Sequence, residues 1–463
     1  MQNHYRLLVL YAFCLPLNVL TAQQKMPGLW LTDPAHNIFF KPQPAAVKGA
    51  TPTADIRIDP SEQYQSIDGF GFTLTGGSAQ NIMKMSAGAR SALIRELFAA
   101  DSDHIGTSYL RVSIGASDLS DHVFSYDDLP AGQTDTGLVH FDLGPDKADL
   151  IPVLKMILRI NPSIRILGSP WSPPVWMKTN GDARGGSLLP QYYGVYARYF
   201  VKYIQAMRRE GIRIDAVTVQ NEPLHPGNNP SLLMPASEQG LFVKEYLGPA
   251  FRKAGIDTRI IIYDHNADKP DYPISILNDP AARKFIDGSA FHLYGGRIEA
   301  LSKVHDAHPD KNLYFTEQWV GAPGNYSKDI AWHVEQLIIG ATRNWSRNVL
   351  EWNLASDPQY NPHTDRGGCT SCLGAVTIDH DNITRNPSYY IIAHAAKWVR
   401  PGSYRIGSNM PEGLPNVAFR TPAGLLVLIV ENTGAAERTF TVSTPAASFT
   451  CSLPAGAVAT LSW

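Results

Sequence analysis

The stretch Ile214-Asp215-Ala216-Val217-Thr218-Val219-Gln220-Asn221-Glu222-Pro223 is an apolar, β-branched run that ends in three polar side chains and a proline. Asn312-Leu313-Tyr314-Phe315-Thr316-Glu317-Gln318-Trp319 repeats the form, with an apolar run, a carboxylate at its exit and an aromatic beyond it. Parallel barrel strands deliver reactive groups in this way, buried along their length and polar at the C-terminal end. Two carboxylates on different strand ends can face each other across a sugar-sized gap. Acid-assisted displacement at an anomeric carbon requires such a pair: one group protonates the leaving oxygen and the other meets the developing positive charge. Carboxylates about 5 Å apart give retention through a covalent glycosyl-enzyme, whereas a wider gap holding a water gives inversion. Position along the chain does not choose between these. A lone Glu before Pro is usually a plain strand end, so the weight rests on the pair.

Strands and helices must alternate if these two ends are to meet, and they do. Apolar strand patterns fall at 67–77, 107–115, 164–171, 214–222, 259–266, 288–295, 312–319 and 348–354, with helical segments between most of them. The clearest helix carries Tyr196, Tyr199, Phe200, Tyr203, Ile204 and Met207 on one face and closes at Arg208-Arg209-Glu210-Gly211. The pattern predicts an α/β chain with a (β/α)8 TIM barrel over residues 67–400, Glu222 leaving the fourth strand and Glu317 the seventh. Past residue 400 only short strands separated by turns remain, at 416–421, 424–431, 438–443, 448–453 and 457–463. These predict an antiparallel β-sandwich side domain over 401–463, joined by a strand near Ile56 from a linker-and-strand region at 23–66.

With 463 residues, 40 basic and 42 acidic, the chain has a net charge of −2, and no whole-protein field favours nucleic acid or an anionic membrane. A neutral substrate fits that balance. Residues 1–22 carry Arg6, then an apolar run and small residues, as a cleaved secretory signal does, so export to the periplasm or medium is expected. The run is too short to span a bilayer, so stable membrane insertion is not expected. Cys369-Thr370-Ser371-Cys372 is a lone CxxC without further zinc ligands at a recognisable spacing, so no metal is assigned and a local disulfide is the plainer reading.

Ser169-Pro170-Trp171-Ser172-Pro173-Pro174-Val175-Trp176-Met177-Lys178-Thr179-Asn180-Gly181, together with the two glutamate motifs, resembles glycoside hydrolase family 30, the family of lysosomal glucosylceramidase. The likeness covers nearly all of the chain after the leader. It implies Glu222 as acid/base and Glu317 as nucleophile, with no cofactor. It also implies Arg111 as support for the nucleophile and Asp118 as a holder of outer sugar hydroxyls. An acid at Glu222 should have a raised pKa, partly through the charge of Glu317. Asn221 is placed to bond the sugar 2-hydroxyl, Trp171 and Trp352 to wall the sugar, and Tyr294 to bond the nucleophile. His292 reads as a satisfied core histidine, and Asp264 and Glu351 as rival carboxylates whose flanks do not match.

The function expected is a secreted retaining β-glycosidase acting on a β-linked glucoside or glucan, with glucosylceramide-type cleavage placed first. An endo-β-1,6-glucanase or β-xylosidase of the same family is the alternative, and a carbohydrate-binding protein on a catalytically dead barrel is the non-enzyme one. Both carboxylates are kept, which a binder would not need.

Overall fold

The computed structural model describes residues 28–44 and 55–463. The leader expected at 1–22 lies outside them.

Eight parallel strands close into a barrel: β1 (Gly69–Thr73), β2 (Tyr109–Ser113), β3 (Arg165–Ser169), β4 (Ala216–Thr218), β5 (Arg259–Ala267), β6 (Ile286–Gly296), β7 (Asn312–Glu317) and β8 (Ser346–Glu351). Tyr109, Leu167, Ala216, Ile261, Ala290, Tyr314 and Leu350 form one buried layer inside it, each from a different strand. In the same register β1 offers Gly71, opposite Tyr109 and Leu350. A Cβ there would stand 1.8 Å from the Tyr109 carbonyl oxygen, so no larger residue fits. At the N-terminal end the buried Asp68 carboxylate receives Arg165, Arg259 and Arg347 at 3.1, 3.2 and 2.8 Å. With that end filled and ion-paired, chemistry is left to the other.

Outside the barrel and two small sheets near its mouth, nine strands form one sheet in the order Ile38–Gln43, Gly28–Asp33, Val458–Ser462, Leu426–Glu431, Asn416–Arg420, Tyr404–Ser408, Ile56–Ser66, Arg438–Ser443, Ser448–Leu453. It curls over its own core of Ile56, Ile58, Leu428, Val430, Phe440 and Phe449. Three of its strands precede the barrel in sequence. Of these Gly28–Asp33 was not among the expected strands, nor was Tyr404–Ser408 after the barrel. The two-residue repeat of a strand joins the domains: Ala418, Leu428 and Val430 face the sandwich core, while Val417, Phe419, Val427 and Ile429 belong to the barrel's core. Phe419 meets Phe70 of β1 edge-on at 6.4 Å.

His394, on the helix Pro387–Ala396, is the polar tie across that interface. Its ring nitrogens lie 2.9 Å from Thr460 Oγ1 and 2.8 Å from Thr32 Oγ1, on strands from opposite ends of the chain. Burial pushes His394 down to about 3.

Two outcomes follow for stability. Phe419→Ala is expected to cost about 3–5 kcal/mol and to lower one shared unfolding transition in calorimetry. Two separated transitions would mean that barrel and sandwich do not fold as a unit. The histidine must stay neutral to fold, so its contribution is complete above the unfolded value of about 6.5 and is lost as pH falls from there towards about 3. A His394→Gln variant should therefore lose less stability than the native chain on acidification, and an equal loss would show that another group governs the slope.

Candidate active site

Glu222 and Glu317 meet at the C-terminal mouth. Glu317 is the last residue of β7. Glu222 sits just past β4 in a left-handed backbone conformation, φ 42°, held by its N–H donating to the Asp264 carbonyl at 3.0 Å. Both are buried, at 7% and 6% exposure. An oxygen of each carboxylate and a ring nitrogen of His292 lie within 4.8 Å of one another.

Arg111 of β2 fixes Glu317. Its guanidinium is fully buried and forks, Nη1 donating to Glu317 Oε2 at 2.6 Å and Nη2 to Asn221 Oδ1 at 2.6 Å and Asp264 Oδ2 at 2.8 Å. Tyr294 donates its hydroxyl to the other oxygen, Glu317 Oε1, at 3.0 Å. Glu317 therefore keeps one orientation, with both oxygens engaged. Asp264 reaches Arg111 because Tyr263 and Asp264 both take positive φ, 72° and 66°, where the register of β5 on β6 slips. This bulge turns a strand residue into the barrel. The Asp264 carboxylate then accepts from Ser169 at 2.9 Å, Thr218 at 2.7 Å and Thr316 at 2.6 Å. Burial alone would raise it, but Arg111, then His292 and the Thr316 hydroxyl, hold it far below the ordinary carboxylate range. With every lone pair engaged and no exposure, Asp264 serves Arg111 and cannot reach a sugar. Glu351 faces away from the mouth, to His333 at 2.7 Å and Ser388 at 3.3 Å.

His292 corrects the sequence reading. It is buried and satisfied as a core histidine should be, but its partners are the reacting groups. Nδ1 lies 3.2 Å from Glu222 Oε1 and 3.6 Å from Glu317 Oε1, and Nε2 lies 3.2 Å from Asp264 Oδ1. Two carboxylates can be bonded by both ring nitrogens only if each contact carries a proton. Burial would lower His292, but Glu317, Asp264 and Glu222 raise it to about 9. The expected rise at Glu222 is therefore not found: burial pushes it up, and the imidazolium beside it, with His265 and His225, holds it below the ordinary value. The proton of that contact rests on His292. Glu317 moves the other way, raised by burial and by the charges of Glu222 and Asp264 against the pull of His292 and Arg111. The same three side chains are close enough to ligate a cation, but an imidazolium and the Arg111 guanidinium already occupy the space with positive charge, so the donor set does not suit a metal.

The cavity above the pair measures about 320 Å³, room for a sugar ring. Asp118, Trp171, Tyr294 and Trp352 line it. Burial first, then the charges of Glu317 and Glu222, push Asp118 up to about 8, so it is a neutral acid at moderate pH. Trp171 stacks 4.8 Å under Arg111, and its buried Nε1 has no hydrogen-bond partner in the protein. Asn221 is engaged by Arg111 and is not among the residues lining the cavity. His225, Asn228, His265, Asn266 and Trp319 also line the pocket and escaped the sequence reading, and the expected local disulfide, Cys369–Cys372, is formed and lines it too. His292 had a readable signal: it precedes Tyr294 by two on one strand, so both point the same way. The loop residues had none.

A sequence model of the glycosyl hydrolase family 30 TIM-barrel domain matches residues 67–399, and one of the family 30 beta sandwich domain matches residues 402–461. An endo-1,6-beta-D-glucanase of Aspergillus fumigatus is 34% identical over 84% of this chain and 84% of its own length. The lysosomal acid glucosylceramidase of Mus musculus is 29% identical over 85% and 80%. The solved structure of an endo-beta1,6-glucanase superposes with a TM-score of 0.88 at 36% identity, over 95% of this chain and 99% of that one. With both domains matched in order and a pair of glutamates at the mouth, the chain belongs to glycosyl hydrolase family 30 and is a glycosidase.

Proposed function

We propose that the protein is an endo-acting, retaining β-1,6-glucanase in which Glu317 attacks the anomeric carbon and Glu222 serves as acid and then base. The observation that carries the mechanism is the approach of the two carboxylates, with an oxygen of each within 4.8 Å of the other, which suits direct attack rather than the wider separation that inverting enzymes use. For the substrate, the support is that endo-1,6-glucanases resemble the chain more than the glucosylceramidase does, at 34% against 29% identity. This reverses the order in which the sequence alone ranked them. Export belongs to the reading, supported by the leader pattern at residues 1–22 and by a disulfide of the kind that persists in oxidising surroundings.

The steps follow from the site. Arg111 and Tyr294 aim Glu317 and spread its charge until it bonds to the sugar. The proton on the His292–Glu222 contact passes through Glu222 to the departing oxygen. Esterification removes the charge of Glu317, and Glu222 then takes a proton from the attacking water. Linear β-1,6-glucan, glucosylceramide and an aryl β-xyloside, offered side by side with product analysis, test the substrate. Short gluco-oligosaccharides from internal cuts are expected, and cleavage of glucosylceramide with the glucan untouched would overturn the reading.

Glu222→Ala should lose about 10²–10⁴-fold on substrates with poor leaving groups and much less on dinitrophenyl β-glucoside. Azide should then restore turnover and give the β-glycosyl azide. Glu317→Ala should yield at best the α-azide. An α-azide from Glu222→Ala, read by NMR, would exchange the two roles.

The pH profile of kcat/KM should be bell-shaped. Its acid limb is set by Glu317, raised above the ordinary carboxylate value, and its alkaline limb by loss of the shared proton near pH 9, the value to which His292 is raised. In His292→Asn, Glu222 must hold the proton alone, and the alkaline limb should move to lower pH, towards the carboxylate range. An unmoved limb would show that His292 does not hold the proton.

A further inference from the structure

The wall of the pocket carries a disulfide. Cys369 and Cys372 are bonded to each other and both line the cavity above Glu222 and Glu317. Cys372 packs with Leu119, Trp171 and Trp352 in a small apolar cluster, and Cys369 and Trp319 lie against its edge.

The bond closes the returning end of a strap, residues 357–374, that leaves β8 and crosses half the mouth. Thr364 donates its N–H to the Asp118 carbonyl at 2.9 Å and its hydroxyl to the Asn229 carbonyl. Asn229 donates back to Asp365 Oδ1 at 2.9 Å, and Arg366 pairs with Asp182 at 2.9 Å. These contacts tie the strap to the loops after β2, β3 and β4. It then returns to the loop after β7, where Cys372–Leu373 pairs antiparallel with Val320–Gly321. The disulfide is the last link of the strap and the one that faces the sugar space.

Global stability does not account for it. A bridge between residues three apart closes so small a ring that it removes little freedom from the unfolded chain. What it does is local: it fixes a turn and presents two polarizable sulfurs as a rigid apolar surface beside two tryptophans. The C–H face of a sugar ring packs on such a surface.

We propose that the Cys369–Cys372 disulfide is a substrate-binding element, forming with Trp319 and Trp352 the apolar wall against which the bound sugar packs, so that affinity depends on the bond being intact. The inference rests on reading the pocket as a β-glucoside site.

The test compares three forms of the full chain: oxidised, reduced, and Cys369→Ala/Cys372→Ala. Dithiothreitol supplies the two electrons and two protons that convert the bond to two thiols, and closes to its own cyclic disulfide. Cys451, the other cysteine among the described residues, is buried and unpaired, so thiol titration in denaturant should rise by two on reduction. In both altered forms KM for β-1,6-gluco-oligosaccharides and for an aryl β-glucoside should rise about tenfold, the size of a lost apolar contact in a pocket. The values of kcat and the melting temperature should stay nearly unchanged. Tryptophan emission should increase on reduction, because a disulfide quenches indoles packed against it. An unchanged KM would overturn the proposal, as would a parallel fall of kcat and melting temperature, which marks a merely structural bond. The reduced native chain decides the matter if the double variant does not fold. Should the oxidised enzyme turn over neither substrate, the functional reading fails by itself. The disulfide is then judged by calorimetric binding of gluconolactone, where the same tenfold loss on reduction is expected and equal affinity overturns it.

Discussion

A guanidinium with no exposed surface sits in the mouth of this barrel, and the neighbouring sequence answers to it. Arg111 is buried beyond the reach of water, so its charge must be met by protein. Asp264 meets it from a bulge in β5, and Glu317 meets it from the end of β7. Ser169, Thr218 and Thr316 complete the Asp264 carboxylate, which is why small hydroxyl residues stand at those strand ends. Removing one anion from such a group leaves an uncompensated charge, a loss of about 3–5 kcal/mol in comparable buried pairs. The backbone strain at Tyr263 and Asp264 is the local cost of keeping that charge where a reacting carboxylate can lean on it.

The same logic arranges the protons. Asp264, Glu222 and Glu317 face Arg111 and His292, and each titrates in the field of the others. Asp118, across the cavity, is neutral below about 8 and leaves the sugar end nearly free of charge. The negative charge is therefore confined to the end of the cavity that holds Glu222, Glu317 and Asp264, where an oxocarbenium-like centre would develop.

Periodicity carried most of the architecture into the sequence. The eight barrel strands were readable because a strand buried on both faces is a mostly apolar run between helical stretches, and Glu222 and Glu317 stood out because each ends such a run. Pocket residues at strand ends, Trp171, Tyr294 and Trp352, followed from the same rule together with the family likeness. Other features were not legible. The β5 bulge that makes Asp264 a support for Arg111 leaves no mark in an apolar pattern, so a structural carboxylate passed for a rival. His292 was misjudged because its partners come from strands distant in sequence. Gly28–Asp33 was missed because a short strand at the start of a Pro-rich segment is specified by its distant neighbour rather than by its own composition.

The sheet of the side domain sets an order on events. Gly28–Asp33 lies between Ile38–Gln43 and Val458–Ser462, and Ile56–Ser66 lies between Tyr404–Ser408 and Arg438–Ser443. A chain made from its N-terminus onward produces these early strands first, and although Gly28–Asp33 can pair at once with Ile38–Gln43, the other partners emerge only after the whole barrel has been synthesised. Until then Ile56 and Ile58 have no core to enter, and the remaining strand edges stay unpaired. Closing pairs so remote in sequence is slow. For most of its synthesis the nascent enzyme is thus a barrel trailing exposed strands, and it needs either a chaperone or rapid passage to whichever compartment it folds in.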